Sequence, residues 1–180
     1  FEDHDDVYTF PQKALSDFNQ NRVKLDLHDD GSNSGTIFSG NATMAWGLAL
    51  SKMNSPEIEL AAYPQPIQTI DAFYAIKAVG GDLGVRLGFA SGGNSEGDAE
   101  QSNTDLNLAV GYTMETEESF HDMSVHIDWA AAEVKNASEA SANRLLASYR
   151  GFLKNKAGEN VDLGILASLV CGRQNEFGIV

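Results

Sequence analysis

Two stretches between Asp105 and Val134 alternate apolar and polar residues, and this pattern limits the fold more than any other feature of the chain. In the first stretch the apolar positions are the even-numbered ones, namely Leu106, Leu108, Val110 and Tyr112. In the second stretch the apolar positions are odd, and the even ones carry Ser124, His126 and Asp128. Strand side chains point to opposite faces with a period of two, so each stretch has one apolar and one polar face. The pattern therefore predicts β-strands whose two faces meet different surroundings.

The composition excludes several classes of protein. A length of 180 residues fits one domain with a sizeable core or a small closed barrel. The net charge of −14 argues against nucleic acid as a partner, because phosphates attract Lys and Arg. The chain has no apolar run of about eighteen residues, so no transmembrane helix is predicted. Cys171 is the single cysteine and forms no intramolecular disulfide. Because the chain starts at Phe1 rather than Met, we expect it to be processed or trimmed, a weak sign of export.

Two regions are distinguished by their patterns. Residues 1–20 are acidic, contain Pro11 and lack a sustained period, and we interpret them as an N-terminal arm or plug-like segment. Residues 21–180 form the predicted β-barrel domain, in which alternating segments are separated by turn residues. Nine strands are predicted. The number becomes eight if residues 36–53 are one bulged strand rather than two strands joined by a tight turn at Gly40 and Asn41.

Three properties of the predicted strands favour a barrel that crosses a membrane. Most strands have about nine to eleven residues or more, the length that a tilted strand needs to cross the hydrocarbon core. The connections alternate in size, with the longer ones predicted at residues 30–35, 54–70, 92–103 and 135–142. The less apolar face is rich in Gly, Ala and Ser, which suits the narrow interior of a closed barrel. The sequence therefore predicts an all-β, antiparallel, up-and-down transmembrane β-barrel, of which the chain contains about eight to ten strands.

Alternation alone is compatible with a second architecture. A soluble β-sandwich or a lipocalin-like barrel has the same pattern with the apolar set turned inward. The alternative prediction is therefore a secreted or periplasmic all-β domain that binds a ligand or a partner. The two predictions differ in which face of the sheet is buried, and in whether the chain stays in solution without detergent.

Two neighbouring segments, with the polar Gly/Ser/Asn loop between them, carry a resemblance to a known class. They are Leu83-Gly-Val-Arg-Leu-Gly-Phe-Ala-Ser91 and Thr104-Asp-Leu-Asn-Leu-Ala-Val-Gly-Tyr-Thr-Met114. In this strand pattern the chain is similar to Gram-negative outer-membrane β-barrels of the porin-like kind. The resemblance implies an outer-membrane location and a role as a porin-like channel or as a structural or interaction barrel with long extracellular loops. It also implies contact with membrane lipid, with lipopolysaccharide and with other outer-membrane or surface proteins. Bacterial barrels have even strand numbers, so nine strands imply that the chain is part of a larger barrel.

A transmembrane barrel assigns the two phases of each strand to two environments. The apolar phase is predicted to face lipid, at Met44, Trp46, Leu48, Val85, Leu87, Phe89, Leu106, Leu108, Val110, Val125, Ile127 and Trp129. The polar phase is predicted to face the lumen, at Lys24, Asp26, His28, Arg86, Asn107, His126, Asp128, Arg144 and Arg150.

Residues with the chemistry for catalysis or metal binding form no convincing motif, so no catalytic site, metal site or cofactor is predicted. Ser124, His126 and Asp128 share one strand face, which raises the alternative of an outer-membrane lipid-modifying hydrolase that uses Ser124 and His126. Residues two apart on a strand are separated by about 6.6 Å, so a direct hydrogen-bonded relay within the strand is not expected. The acidic turn after Asp26 lacks the glutamate that ends a calcium loop, because Ile37 stands there.

Overall fold

Antiparallel strands, connected in the order of the chain, form one sheet that makes up most of the protein. A computed structural model describes residues 6–16, 21–27, 33–50, 68–96, 99–135, 138–153 and 164–178. Its strands are β1 (Arg22–Asp26), β2 (Ser34–Gly40), β3 (Met44–Leu50), β4 (Gln68–Ala78), β5 (Gly81–Glu96), β6 (Ala99–Glu115), β7 (Ser119–Val134), β8 (Ser138–Leu153) and β9 (Gly164–Gly178). Each strand pairs with its neighbours in sequence, from β1 to β9. The prediction of an all-β, antiparallel, up-and-down architecture is therefore confirmed.

Residues 36–53 do not form one bulged strand, because β2 and β3 are separated by a tight turn. Asn41 donates its backbone N–H to the Met44 carbonyl at 2.8 Å. Its side-chain Oδ1 accepts hydrogen bonds from the backbone N–H groups of Thr43 at 2.9 Å and Met44 at 3.0 Å. Asn is favoured in turns because its side chain satisfies nearby backbone donors in this way. The Gly40–Asn41 position therefore separates two strands, and the eight-strand alternative is wrong.

Replacing the Asn41 side chain tests how much the turn contributes to stability. We expect Asn41→Ala to lower the free energy of unfolding by about 1 kcal/mol, because the exposed turn loses its side-chain acceptor but its backbone donors can reach water. Asn41→Asp keeps the acceptor oxygen and serves as the matched control, with little expected loss. Equilibrium unfolding in urea measures both variants. Equal losses in the two would show that the Oδ1 hydrogen bonds do not stabilise the turn.

The described residues of two segments predicted as long loops are mostly strand. Residues 92–96 and 99–103 continue the β5–β6 hairpin, whose pairing runs from Gly81 with Met114 to Glu96 with Ala99. Residues 135–142 likewise contain the start of β8, and Val134 pairs with Ser138. Their Gly, Ser, Ala and Asn residues had indicated loops, but the hairpin ladders extend through them because pairing with the neighbouring strand outweighs weak local β-propensity. Strands β5, β7 and β8 consequently have 16 residues each, and β6 has 17.

Within the described residues the sheet is open. Strands β1 and β9 each have one strand neighbour, and no pairing joins them to each other. Since consecutive strands are antiparallel, the first and ninth run in the same direction. On β9, Ala167 to Arg173 are exposed whichever face they occupy. The predicted closure into a barrel is therefore not a feature of the described sheet.

A short N-terminal segment lies against one face of the sheet. It comprises helix α1 (Asp6–Thr9) and a 3₁₀-helix (Pro11–Leu15), and we call residues 6–16 the plug. The plug packs on strands β3 to β6. We call the sheet face that carries it the inner face and the opposite one the outer face. The helices explain why residues 6–16 show no strand period.

No helix among the residues described above is long and apolar enough to span a membrane.

Candidate functional site

The outer face of the sheet is apolar and exposed. Paired residues of β6 and β7 illustrate it: Leu106 lies opposite Trp129, and Leu108 opposite Ile127. Their exposed fractions are 47, 40, 39 and 54%, although buried positions are where large apolar side chains normally lie. Of the twelve residues predicted to face lipid, eleven are exposed and Val85 is half-buried. The apolar phase is therefore on the outside of the described structure, and its contact with lipid remains a prediction.

Strand pairing aligns these residues into four adjacent rows across β3 to β8, which we call the apolar belt. The first row is Met44, Ile76, Leu83, Tyr112, Met123 and Tyr149, and the second is Trp46, Tyr74, Val85, Val110, Val125 and Ala147. The third row is Leu48, Ala72, Leu87, Leu108, Ile127 and Leu145, and the fourth is Leu50, Ile70, Phe89, Leu106, Trp129 and Asn143. Every member is exposed or half-buried, and none is charged. The four rows, each two residues from the next, span about 20 Å along the strands.

The two edges of the belt differ, because beyond the first row the outer face still carries the exposed Met114 opposite His121. Beyond the fourth row the outer face continues with Ser91, Thr104, Ala131 and Ser141, which are small or polar. At the opposite edge, the Tyr112 hydroxyl donates to the Val79 carbonyl at 3.0 Å, and the Tyr149 hydroxyl lies 2.8 Å from His121 Nδ1.

Four of the six aromatic residues of the belt lie in its edge rows, with Tyr112 and Tyr149 in the first and Phe89 and Trp129 in the fourth, and Trp46 and Tyr74 lie in the second row. Aromatic side chains with a polar tip are enriched where hydrocarbon meets water. Within single strands these residues do not stand at the ends. Only the strand register shows that they share rows, so sequence reasoning missed this arrangement.

The inner face carries the polar phase, and it is largely buried. Among the predicted lumen residues, Arg86, His126, Asp128 and Arg150 are buried, and Lys24, Asp26, Asn107 and Arg144 are half-buried. His28 lies outside the described residues. The eight described residues all share the inner face, because strand pairing places them in one phase with buried residues such as Ala49 and Phe73. That this face lines a lumen stays a prediction.

Most inner-face charges are neutralised by a partner on another strand. Arg86 Nε lies 2.7 Å from Asp71 Oδ1. Arg150 Nη2 lies 2.9 Å from Asp122 Oδ2, and Arg144 Nη2 lies 2.8 Å from Asp128 Oδ2. Asn107 Nδ2 also donates to Asp128. Charges buried this deeply are tolerated when they are paired and hydrogen-bonded.

Two acidic members of these pairs, Asp71 and Asp122, were absent from the predicted set. Each belongs to the polar phase of its strand, and Asp122 lies two residues before Ser124. Their position in the period was therefore the signal that would have identified them. Asp122 lies just before the clear alternation from Met123 to Trp129. Asp71 lies on β4, whose two faces do not differ clearly in sequence.

The plug has an apolar side that packs against β2 to β4. The rings of Tyr8 and Phe73 meet edge to face with centroids 5.2 Å apart, and Phe38 packs beside Phe73 at 5.3 Å. Val7, Tyr8, Ala14 and Leu15 are buried in one cluster with Phe38, Ala45, Ala49, Phe73 and Ala75. Burial of these apolar groups is the main force that holds the plug on the sheet.

The other side of the plug is polar and meets β5 to β8. Asp6 Oδ2 lies 2.7 Å from Arg150 Nη1, and Lys13 Nζ lies 3.2 Å from Asp122 Oδ1. Arg86 Nη1 donates to the Tyr8 carbonyl at 3.3 Å. These contacts place charged and polar groups of the inner face directly on the plug, including two of the predicted lumen residues.

Glycines of the inner face allow the plug to approach the strands. A Cβ atom added at Gly84 would overlap the backbone of Pro11 and Gln12. One added at Gly111 would overlap the side chain of Gln12. Neither position has room for a side chain while the plug is docked, which is the kind of close approach that favours glycine. Some of the small residues in the polar phase are therefore explained by the close packing of the plug against the strands.

Ser124 and His126, the two residues of the hydrolase alternative, are in direct contact, which was not expected. Ser124 Oγ lies 3.2 Å from His126 Nε2, so the expectation that residues two apart cannot make this contact is wrong. The Cα separation did not account for the reach of the histidine side chain. His126 Nε2 also lies 2.9 Å from the Thr9 carbonyl, which only accepts, so Nε2 carries the proton. It is therefore not free to take a proton from Ser124, and Asp128 is bonded to Asn107 and Arg144 instead of His126.

Comparisons of this chain with protein-family models, with curated proteins and with solved structures found no match. Within the described part of the chain, no group of three or more His, Cys, Asp or Glu side chains is arranged to hold a metal ion.

Proposed function

We propose that this protein is an outer-membrane β-barrel that has a structural or interaction role while its interior is occupied by the plug. The observation that carries the proposal is the inversion of the two faces. All 24 positions of the belt are uncharged and accessible, whereas carboxylates and guanidinium groups such as Asp71, Asp122 and Arg86 are buried on the other face. A sheet in water would reverse this distribution, because apolar surface is driven out of water and charge into it. A sheet surrounded by hydrocarbon favours it.

The size of the belt and its edges support the same proposal. Its span of about 20 Å along the strands is of the same order as the apolar band of about 25 Å on outer-membrane barrels. The edge rows with Tyr112, Tyr149, Phe89 and Trp129 would then lie at the two interfaces. In this proposal the residues of the belt contact membrane lipid.

Closure of the barrel is part of the proposal. A lipid-exposed strand edge leaves backbone groups without hydrogen bonds, so a membrane sheet has to close. Strands β1 and β9 point in the same direction, and an all-antiparallel closure therefore requires at least one further strand between them. This gives ten strands or a larger even number, as bacterial barrels have.

The ends of β5 to β8 support the interaction role. Beyond the fourth row of the belt, β5 continues from Phe89 to Glu96 and β7 from Trp129 to Val134. At a rise of about 3.3 Å per residue these strands extend roughly 17 to 23 Å past the belt. They would stand outside the hydrocarbon, in reach of lipopolysaccharide and of other surface proteins.

A lipid-modifying enzyme is the second candidate, favoured by the contact between Ser124 and His126. The candidate requires the histidine to accept a proton, whereas its Nε2 donates to Thr9. We therefore propose that the protein is not an enzyme. A soluble secreted β-domain is the third candidate, and it would need its apolar belt to be covered by a partner in solution.

The two tryptophans provide the test of the membrane proposal. Trp46 and Trp129 are the only ones in the chain, and both are exposed on the belt, in its second and fourth rows. In phosphatidylcholine vesicles we expect their fluorescence to be quenched by bromine on the acyl chains and protected from acrylamide in the water. The reason is that both indoles would lie at or within the hydrocarbon.

Single-tryptophan variants make the test depth-sensitive. In Trp129→Phe the remaining Trp46 should be quenched most by bromine deep in the chain, and in Trp46→Phe the remaining Trp129 by bromine near the headgroup. Monodisperse protein in plain buffer, with both tryptophans quenched by acrylamide and not by lipid bromine, would refute the membrane proposal and support the soluble domain.

A further inference from the structure

We propose that the barrel conducts small ions when the plug moves away from β5–β8, so that the plug acts as a gate. This inference rests on the proposed membrane barrel. The resemblance already implied a porin-like channel, and the new element is that residues 6–16 control its conductance, a role that neither the strand pattern nor the belt assigns.

The plug is attached by different contacts on its two sides, so one side can detach from the sheet while the other stays bound. On the β2–β4 side it is held by apolar contacts, such as those of Tyr8 with Phe73. On the β5–β8 side it is held by ion pairs through Asp6 and Lys13 and by hydrogen bonds to its backbone carbonyls. Polar contacts are replaced by water at little net cost, whereas exposure of an apolar cluster is costly. The polar side is therefore the one that opens.

The inner face beneath the polar side is suited to water when the plug is gone. Arg86 keeps Asp71, and Arg150 keeps Asp122, because these pairs are made between strands. Undocking thus leaves no guanidinium group of these two pairs without a carboxylate. If the plug only filled the interior, the inner face beneath it could be apolar. Exposure of an apolar face to water would be unfavourable, so such a plug would stay docked.

The space vacated by the plug is large enough for hydrated ions. A helical segment with its side chains is about 10 Å wide. The strands beneath it contribute Gly84 and Gly111, which have no side chains to fill that width. An interior of this size, lined by paired charges, favours the passage of ions over that of larger solutes.

Gly84→Ala is the variant that displaces the plug. Its added Cβ overlaps the backbone of Pro11 and Gln12, so a side-chain rotation cannot relieve the overlap. Overpacking of this kind is expected to shift the docked equilibrium by roughly tenfold to a hundredfold towards the undocked form. The matched control is Gly35→Ala, whose Cβ would meet Leu25 Cδ2 at an ordinary 3.4 Å, away from the plug.

The experiment combines conductance with protease access on the full-length protein in planar bilayers and vesicles. Lys13 is 6% exposed when the plug is docked, so trypsin cleavage after it reports undocking. We expect wild type and Gly35→Ala to be mostly closed and protected at Lys13. Gly84→Ala should show discrete K⁺ and Cl⁻ conductance and cleavage at Lys13, both increased by roughly tenfold or more.

A second variant keeps the test decisive if Gly84→Ala does not fold. Asp6→Arg places a cation against Arg150 at the edge of the plug, where the wild-type pair is 2.7 Å apart. It should open the conductance in the same way. Cleavage at Lys13 without conductance in either folded variant would overturn the ion passage, and unchanged cleavage in both would overturn the gate. Failure to enter vesicles at all, seen separately by flotation, would instead count against the membrane barrel.

Discussion

Leu108→Arg will lower the free energy of unfolding in a phosphatidylcholine bilayer by about 2–4 kcal/mol. Leu108 lies in the third row of the belt and is 39% exposed on the outer face. A guanidinium group at this depth has to enter hydrocarbon or distort the bilayer around it. Urea unfolding of the vesicle-inserted protein, followed by the heat-modifiable shift of the folded band on a gel, measures the loss.

The matched control is Thr104→Arg, four residues away on the same strand and the same face. Thr104 lies in the polar row beyond the belt, so its loss should be about 0–1 kcal/mol. In a soluble domain both positions would be surface sites, and both substitutions would change stability by less than about 0.5 kcal/mol. Equal and small effects of the two variants would therefore contradict the membrane assignment of the belt.

Asp122→Ala will destabilise the protein by about 3–5 kcal/mol. The Asp122 carboxylate is fully buried and accepts from Thr113 Oγ1 at 2.5 Å and from Arg150 Nη2 at 2.9 Å. It also lies 3.2 Å from Lys13 Nζ of the plug. Without it, Arg150 keeps Asp6, but a site from which water is excluded loses one negative charge, and that loss is the main cost. Equilibrium unfolding in urea measures the loss, and cleavage after Lys13 should rise with it.

The control for Asp122 is Glu100→Ala, which removes an ion pair of similar geometry from the surface. Glu100 Oε2 lies 2.7 Å from Lys135 Nζ, and both side chains are more than half exposed. Exposed pairs contribute less than about 1 kcal/mol, so this variant should be nearly neutral. A comparable loss in the two variants would show that the inner face around Asp122 is already open to water.

Much of the strand architecture follows from patterns within single strands. The alternation at Leu106 to Tyr112 and at Met123 to Trp129 predicted β6 and β7, and the turn residue Asn41 marked the break between β2 and β3. These patterns are local, because side-chain direction alternates within a strand regardless of its partners. The ends of β5 and β8 were predicted less well, since small polar residues are compatible with loops and with the far end of a paired hairpin.

The candidate site depended on contacts that join distant parts of the chain. Residues 1–20 were expected to be an arm or plug-like segment, yet nothing in the sequence of residues 6–16 identified Gly84 and Gly111 as the positions on which they pack. The partners of Arg86 and Arg150 were not predictable either, because each ion pair is made between strands. The reach of His126 to Ser124 was underestimated, and the carbonyl of Thr9 that occupies its Nε2 comes from the plug.

By itself, the sequence determined that the chain forms antiparallel strands with one apolar and one polar phase, because that periodicity is a property of each strand. Which phase is buried was decided by the tertiary structure, in which the plug covers the polar phase and leaves Leu108, Ile127 and Trp129 exposed. The four aligned rows of the belt also required the strand register. Register depends on pairing between strands, and so the belt and its edges emerge only when the strands are assembled side by side.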